Sequence, residues 1–136
     1  MDAQQEVARP THAGAGAHPD VRQMDNRIQE GIGHCSGCHN LCHDTIAHCL
    51  DLGGEHASRA HVGLLLDCAR ICATTGEFLL RGSPFSGQVC AVCADVCQRC
   101  AEDCEQLGPN DEVMQHCAVV ARRCAAACRD LAGTTM

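Results

Sequence analysis

The cysteines of this chain fall on a helical ruler. Cys90, Cys93, Cys97, Cys100 and Cys104 step by three, four, three and four residues. Cys35, Cys38, Cys42 and Cys49 step by three, four and seven. Cys68 and Cys72 are four apart, as are Cys124 and Cys128, and Cys117 lies seven before Cys124. Such steps return to one face of an α-helix, the stripe that Leu and Ile hold in an ordinary bundle. Thiolates gathered on that stripe are ligands for soft ions: Cu(I), Zn(II) and iron–sulfur clusters. Disulfides fit the spacing poorly. Cβ atoms one helical turn apart are about 5–6 Å from each other, whereas a disulfide needs about 3.5–4.5 Å.

The thiols need helices to carry them, and the chain punctuates four. The first is expected from about Val21 to Leu52, with a break near Gly31–Gly33 and a stop at Gly53-Gly54. The second runs from about Glu55 to Arg81 and stops at Gly82. Ser83-Pro84 reads as an N-cap followed by Pro at the first helical position. That third helix reaches Leu107 and closes at Gly108-Pro109. The fourth starts around Pro109–Asp111, with Asp111 and Glu112 complementing its dipole, and ends near Ala132-Gly133. No strand pattern competes. Short turns between four helices make antiparallel neighbours, so the expected fold is all-α, an up-down-up-down four-helix bundle with a Cys-lined core. Residues 1–20, with Pro10, Gly14, Gly16 and Pro19, read as a flexible tail and residues 21–136 as the bundle.

Antiparallel order sorts the bundle ends. One gathers Ile28, Ile32, Phe78, Leu79, Phe85 and Leu131 into an apolar plug. The other gathers His61, Leu107, Met114 and His116 around Cys49, Cys104 and Cys117. Imidazole and thioether at that end suit a mouth for a soft ion, with His61, Met114 and His116 serving either as ligands or as packing residues. Leu52, Thr45 and Thr75 also fall on the inward seams.

Composition narrows the function. The net charge is −7, all ten basic residues are Arg, and no basic cluster invites nucleic acid. There are two aromatic residues, so Leu, Val, Ala and Cys must fill the interior, where free Cys acts as a small hydrophobe. The first twenty residues contain no apolar signal-peptide core and no twin Arg, and no stretch is long and apolar enough to span a membrane. The expected compartment is the reducing cytosol, where dense cysteine points to metal rather than disulfides.

Charge separates the candidate ions. One Cu(I) per thiolate leaves a neutral core. A four-thiolate Zn(II) site is anionic and would need buried donors that helix interiors do not offer. Fourteen interior thiols suggest storage on the order of ten or more bridged ions, rather than delivery of one. The alternatives are a zinc or cadmium buffer, a thiol redox reservoir, and a haem or iron–sulfur electron carrier. Cys35-Ser36-Gly37-Cys38-His39 matches the haem-attachment motif but leaves the other twelve cysteines unexplained. The Glu-x-x-His pairs of di-iron bundles are absent. Catalysis is not expected, because thiols buried in an apolar stripe are inert and no phosphate or dinucleotide fingerprint occurs. His39 and His43, one turn apart beside the Cys stripe, read as surface residues.

The ladders, and above all Cys93-Ala94-Asp95-Val96-Cys97-Gln98-Arg99-Cys100-Ala101-Glu102-Asp103-Cys104, resemble those of the cysteine-rich four-helix-bundle copper storage proteins of bacteria, cytosolic branch. The resemblance covers about residues 21–136. It implies a homotetramer of bundles, many Cu(I) ions along each core, and His and Met at the open end, matched here by His61, His116 and Met114. The residues identify no delivery partner.

Overall fold

A computed structural model describes residues 19–133, with side chains from residue 26. Four helices account for nearly all of them: α1 (Pro19–Leu52), α2 (Arg59–Arg81), α3 (Ser86–Leu107) and α4 (Glu112–Ala132). There is no strand among the described residues. Each helix packs against two neighbours in the cyclic order α1–α2–α3–α4. Connections of four to six residues force the antiparallel alternation. The expected tail, residues 1–20, lies almost wholly outside the described residues, and α1 already includes Pro19 and Asp20.

The helix ends follow local chemistry. Ser58 caps α2 by accepting from the His61 amide at 3.2 Å, and Asp111 caps α4 by accepting from the Met114 amide at 3.0 Å. Gly82 ends α2 in the left-handed region (φ 64°), where glycine alone is unstrained, and the amides of Gly82 and Ser83 close onto Leu79 and Phe78. A single 3-10 turn, Gly54–Ala57, precedes α2, which therefore starts later than the sequence suggests.

Four other expectations are corrected. Helix α1 does not break at Gly31–Gly33. Gly31 faces inward, and a Cβ there would meet Leu131 Cδ1 at 2.5 Å, so its bare backbone lets α4 approach closely. That tertiary packing outweighs the roughly 1 kcal/mol propensity cost of a helical glycine. Ser83-Pro84 is a turn, not a helix start. The Ser83 hydroxyl accepts from the Phe85 amide and its carbonyl from the Ser86 amide. Buried Ser86 begins α3, its hydroxyl donating to the Phe78 carbonyl at 3.2 Å. As a result Phe85 is 60% exposed and does not join the apolar plug, which Leu79 and Leu131 fill with Ile28 and Ile32 packed against the core, while Phe78 is half-buried beneath Arg81. Leu52, at the last residue of α1, is likewise exposed rather than inward.

The interior between the plug and the far end is sulfur. All fourteen cysteines are buried and reduced. Around them pack small residues, Ala69, Ala94, Ala101, Ala118, Ala121 and Ala125, which keep the helices close. The seam hydroxyls of Thr45 and Thr75 donate to the carbonyls four residues back, Leu41 and Ile71, at 2.8 and 2.7 Å. Charged groups stay outside: Arg122 grips Glu105 with two bonds of 2.8 Å across α3 and α4, holding that exposed carboxyl below its usual range.

Candidate metal centre

Four helices contribute to one ladder of thiols. The sulfurs of Cys35, Cys93, Cys124 and Cys128 lie within 4.8 Å of one another, and the same holds for Cys38, Cys72, Cys97 and Cys124, for Cys38, Cys42 and Cys68, and for Cys42, Cys100 and Cys117. The clusters share members. Cys124 joins the first two, Cys38 the second and third, and Cys42 the third and fourth. Metal–thiolate bonds are about 2.3 Å long, so two sulfurs on one ion lie at most about 4.6 Å apart. The ladder is thus already spaced for ions held between helices and passed along shared sulfurs.

Individual separations agree. Cys72 lies 3.5 Å from Cys97, 3.8 Å from Cys124 and 3.9 Å from Cys93. Cys38 and Cys97 each lie 3.7 Å from Cys68, and Cys35 lies 3.7 Å from Cys128. None approaches the roughly 2.05 Å of a disulfide. Cys35 and Cys38, the pair in the haem-like motif, are both embedded in this ladder and face thiols of α2 and α4.

Without metal the thiols satisfy one another. Cys124 donates to Cys35 at 3.9 Å. Hydrogen bonds from Cys124 and Cys128 draw the Cys35 thiol down to about 6, while Cys124 is raised by its bonds with Cys128 and Cys35. Cys90, outside the four clusters at the plug end, is raised by its bond with Cys128 and by burial. Cys49, at the other end, is pushed up to about 11 by burial, with the charges of Asp111, Cys117 and Asp103 adding. An unfolded thiol ionises near 9.0, so between about 9 and 11 the folded state retains a proton at Cys49 that the unfolded state has lost. Stability of the metal-free bundle therefore falls as pH rises through that window. A melting series should show Tm declining from about pH 9 upward, and a Tm unchanged to about pH 11 would contradict the buried thiol assignment.

The end opposite the plug has a different chemistry. His61 is buried, with its Nε2 3.3 Å from the Cys49 sulfur. Its Nδ1–H donates to Asp103 Oδ2 at 2.5 Å. That bond fixes the tautomer and aims the Nε2 lone pair inward, the way a carboxylate orients a metal-binding imidazole. Met114 is fully buried, and its thioether lies 3.2 Å from His56 Nδ1. Gly108 packs against it so closely that a Cβ there would sit 2.5 Å from the Met114 sulfur. His48 donates to the Asp111 carboxylate at 2.7 Å, tying α1 to the cap of α4.

Of the three mouth residues expected from sequence, the structure brings His61 and Met114 to this end and turns His116 outward. His116 precedes Cys117 by one residue, a rotation of about 100° from the seam, which leaves it exposed. The imidazole beside Met114 belongs to His56, in the 3-10 turn, which the seam reading missed. Its signal was the connector itself, a histidine just past Gly53-Gly54 at the end where the seam histidine lies. Asp103 was missed as well; only its position next to Cys104 marks it.

A small helical bundle with a continuous thiol ladder along its axis and an imidazole–thioether group at one end is a metal-sequestering protein in form. Residues 24–133 match the family model described as copper storage protein, and the chain belongs to that family. The fold is similar to that of the Nmul_A1745 protein from Nitrosospira multiformis, at 42% identity and a TM-score of 0.74, covering 79% of this chain and 96% of that one. It is also similar to Cu(I)-bound copper storage protein BsCsp3, at 31% identity and a TM-score of 0.71, covering 79% and 99%. A cysteine-rich protein of Bacillus subtilis (strain 168), YhjQ, is 32% identical over 73 residues, 54% of this chain and 68% of that protein.

Proposed function

We propose that this chain stores Cu(I), holding many ions on the thiolates of Cys35, Cys38, Cys42, Cys49, Cys68, Cys72, Cys90, Cys93, Cys97, Cys100, Cys104, Cys117, Cys124 and Cys128, and so limits copper toxicity. The observation that carries this reading is the sharing of sulfurs between successive clusters. Shared thiolates bridge ions, and one monovalent ion per thiolate keeps the charge near zero. The buried polar side chains are Thr45, His61, Thr75 and Ser86, none of them a fixed cation. Excess thiolate charge from four-sulfur Zn(II) sites would stand uncompensated. Binding displaces thiol protons, so affinity weakens as pH falls.

Uptake passes the end that holds His61, Met114 and His56, where Cys49 meets the imidazole. Replacing His61 with Ala, or Asp103 with Asn, should slow Cu(I) uptake severalfold while leaving final loading within one or two ions of the parent. Stopped-flow transfer from a cuprous chelator reads both quantities, and unchanged rates in both variants would remove the mouth from the account. The reducing cytosol suits fourteen free thiols. Exposed Leu80 on α2 supports assembly of bundles into a homotetramer. No helix among the described residues is long and apolar enough to cross a membrane. The protein binds and releases its cargo without turnover.

Anaerobic titration with Cu(I) against a strong cuprous chelator tests the storage reading. On the order of ten or more ions per chain are expected to resist the chelator. A single tight ion, or none, would rule storage out.

A further inference from the structure

A second set of donors lies outside the thiol ladder, on the outer face where α1 meets α2. His39 and His43 stand one turn apart on α1 with ring centroids 4.7 Å apart and planes at 79°. Both line a cleft of about 320 Å³ that also holds Asp67 and Arg70 of α2. The His39 ring is fixed: its Nδ1–H donates to the Ala69 carbonyl at 2.9 Å, which leaves the lone pair on Nε2. A backbone carbonyl on one ring nitrogen is a common means of orienting a metal-binding imidazole. His43 is exposed, and its ring makes no hydrogen bond among the described residues. Asp67 brings a carboxylate to the same cleft from the facing helix.

We propose that His39, His43 and Asp67 form a binding site for a borderline divalent ion of the Zn(II), Ni(II) or Cu(II) class, distinct from the thiol core. Two histidines at i and i+4 on one helix face can place two nitrogens on one ion. Imidazole and carboxylate together prefer this class over Cu(I), whereas the core thiolates prefer the reverse. His39 stays in place on binding. The edge-on His43 and the exposed Asp67 turn toward it, rotations that cost little at an open surface. The site bridges α1 and α2 immediately outside Cys38, so the chain sorts ions by softness across the wall of one helix.

The test uses the full chain with its thiols first saturated with Cu(I) under anaerobic conditions, then titrated calorimetrically with Zn(II). The parent should take up one Zn(II) more per chain than His43→Ala, with equal Cu(I) content in both samples. Asp67→Asn should weaken that Zn(II) by about tenfold. His116→Ala, an exposed histidine elsewhere, should leave it unchanged. Equal Zn(II) uptake by the parent and His43→Ala would overturn the proposal, and so would Zn(II) that enters by displacing Cu(I). Copper content measured in the same samples reports the thiol core separately, and circular dichroism shows that the variants keep their helices.

Discussion

Replacing Cys38 and Cys124 together with Ser should cost far more copper than two lost ligands. Three of the four clusters contain at least one of these sulfurs, and each belongs to two clusters. Removing both takes away the sulfur shared by the first and second clusters and the one shared by the second and third. Capacity should fall to roughly half, because bridged ions lose a shared ligand on each side. The matched control is Cys90→Ser with Cys104→Ser, two equally buried thiols outside the four clusters. That pair should lose only the few ions at the ends. The apo bundle should survive either change, since a hydroxyl on these seams can donate to the carbonyl four residues back, as Thr45 and Thr75 already do. Equal losses in the two double variants would mean that thiols act independently, and the shared-ladder account would fail.

Thermal stability gives the second large effect. The native bundle gathers thiols from four helices, and the unfolded chain does not, so Cu(I) binds mainly the folded form. One ion at a hundred times its Kd adds about 2.7 kcal/mol. Even one ion per cluster, four in all, then adds about 10 kcal/mol. For a chain of this size each kcal/mol moves Tm by roughly 4 °C. Saturation should therefore raise Tm by on the order of 40 °C. Scanning calorimetry of apo and loaded protein measures the shift. A rise below a few degrees under saturating Cu(I) would place the copper on sites that the unfolded chain offers equally well.

The parts of this molecule that repeat were readable in its sequence. Every cysteine lies at a helical step from another, and each of the fourteen is inward. Helix α2, ended by Gly82, and helix α4, begun beside Asp111, stand where their capping chemistry puts them. The misreadings occur where a single residue has two local meanings and only tertiary packing chooses between them. Gly31 can break a helix or let two helices touch, and Leu131 decides for contact. Ser83-Pro84 can open a helix or make a turn, and the bond from Ser86 to Phe78 fixes the turn. At the mouth, periodicity placed His61 and Met114 on the inward seams, where both are buried. It had no means of finding His56, because the 3-10 turn that carries it does not share the helical period.

The central claim is that monovalent copper lies in a column between the four helices. Anomalous diffraction at the copper edge from crystals of the Cu(I)-loaded protein tests it most directly. The account predicts a row of copper peaks along the bundle axis, from the sulfurs of Cys35 and Cys128 to that of Cys49, with neighbouring ions joined through shared cysteines. Copper found only at exterior histidines, with the axial thiols left unligated, would contradict it.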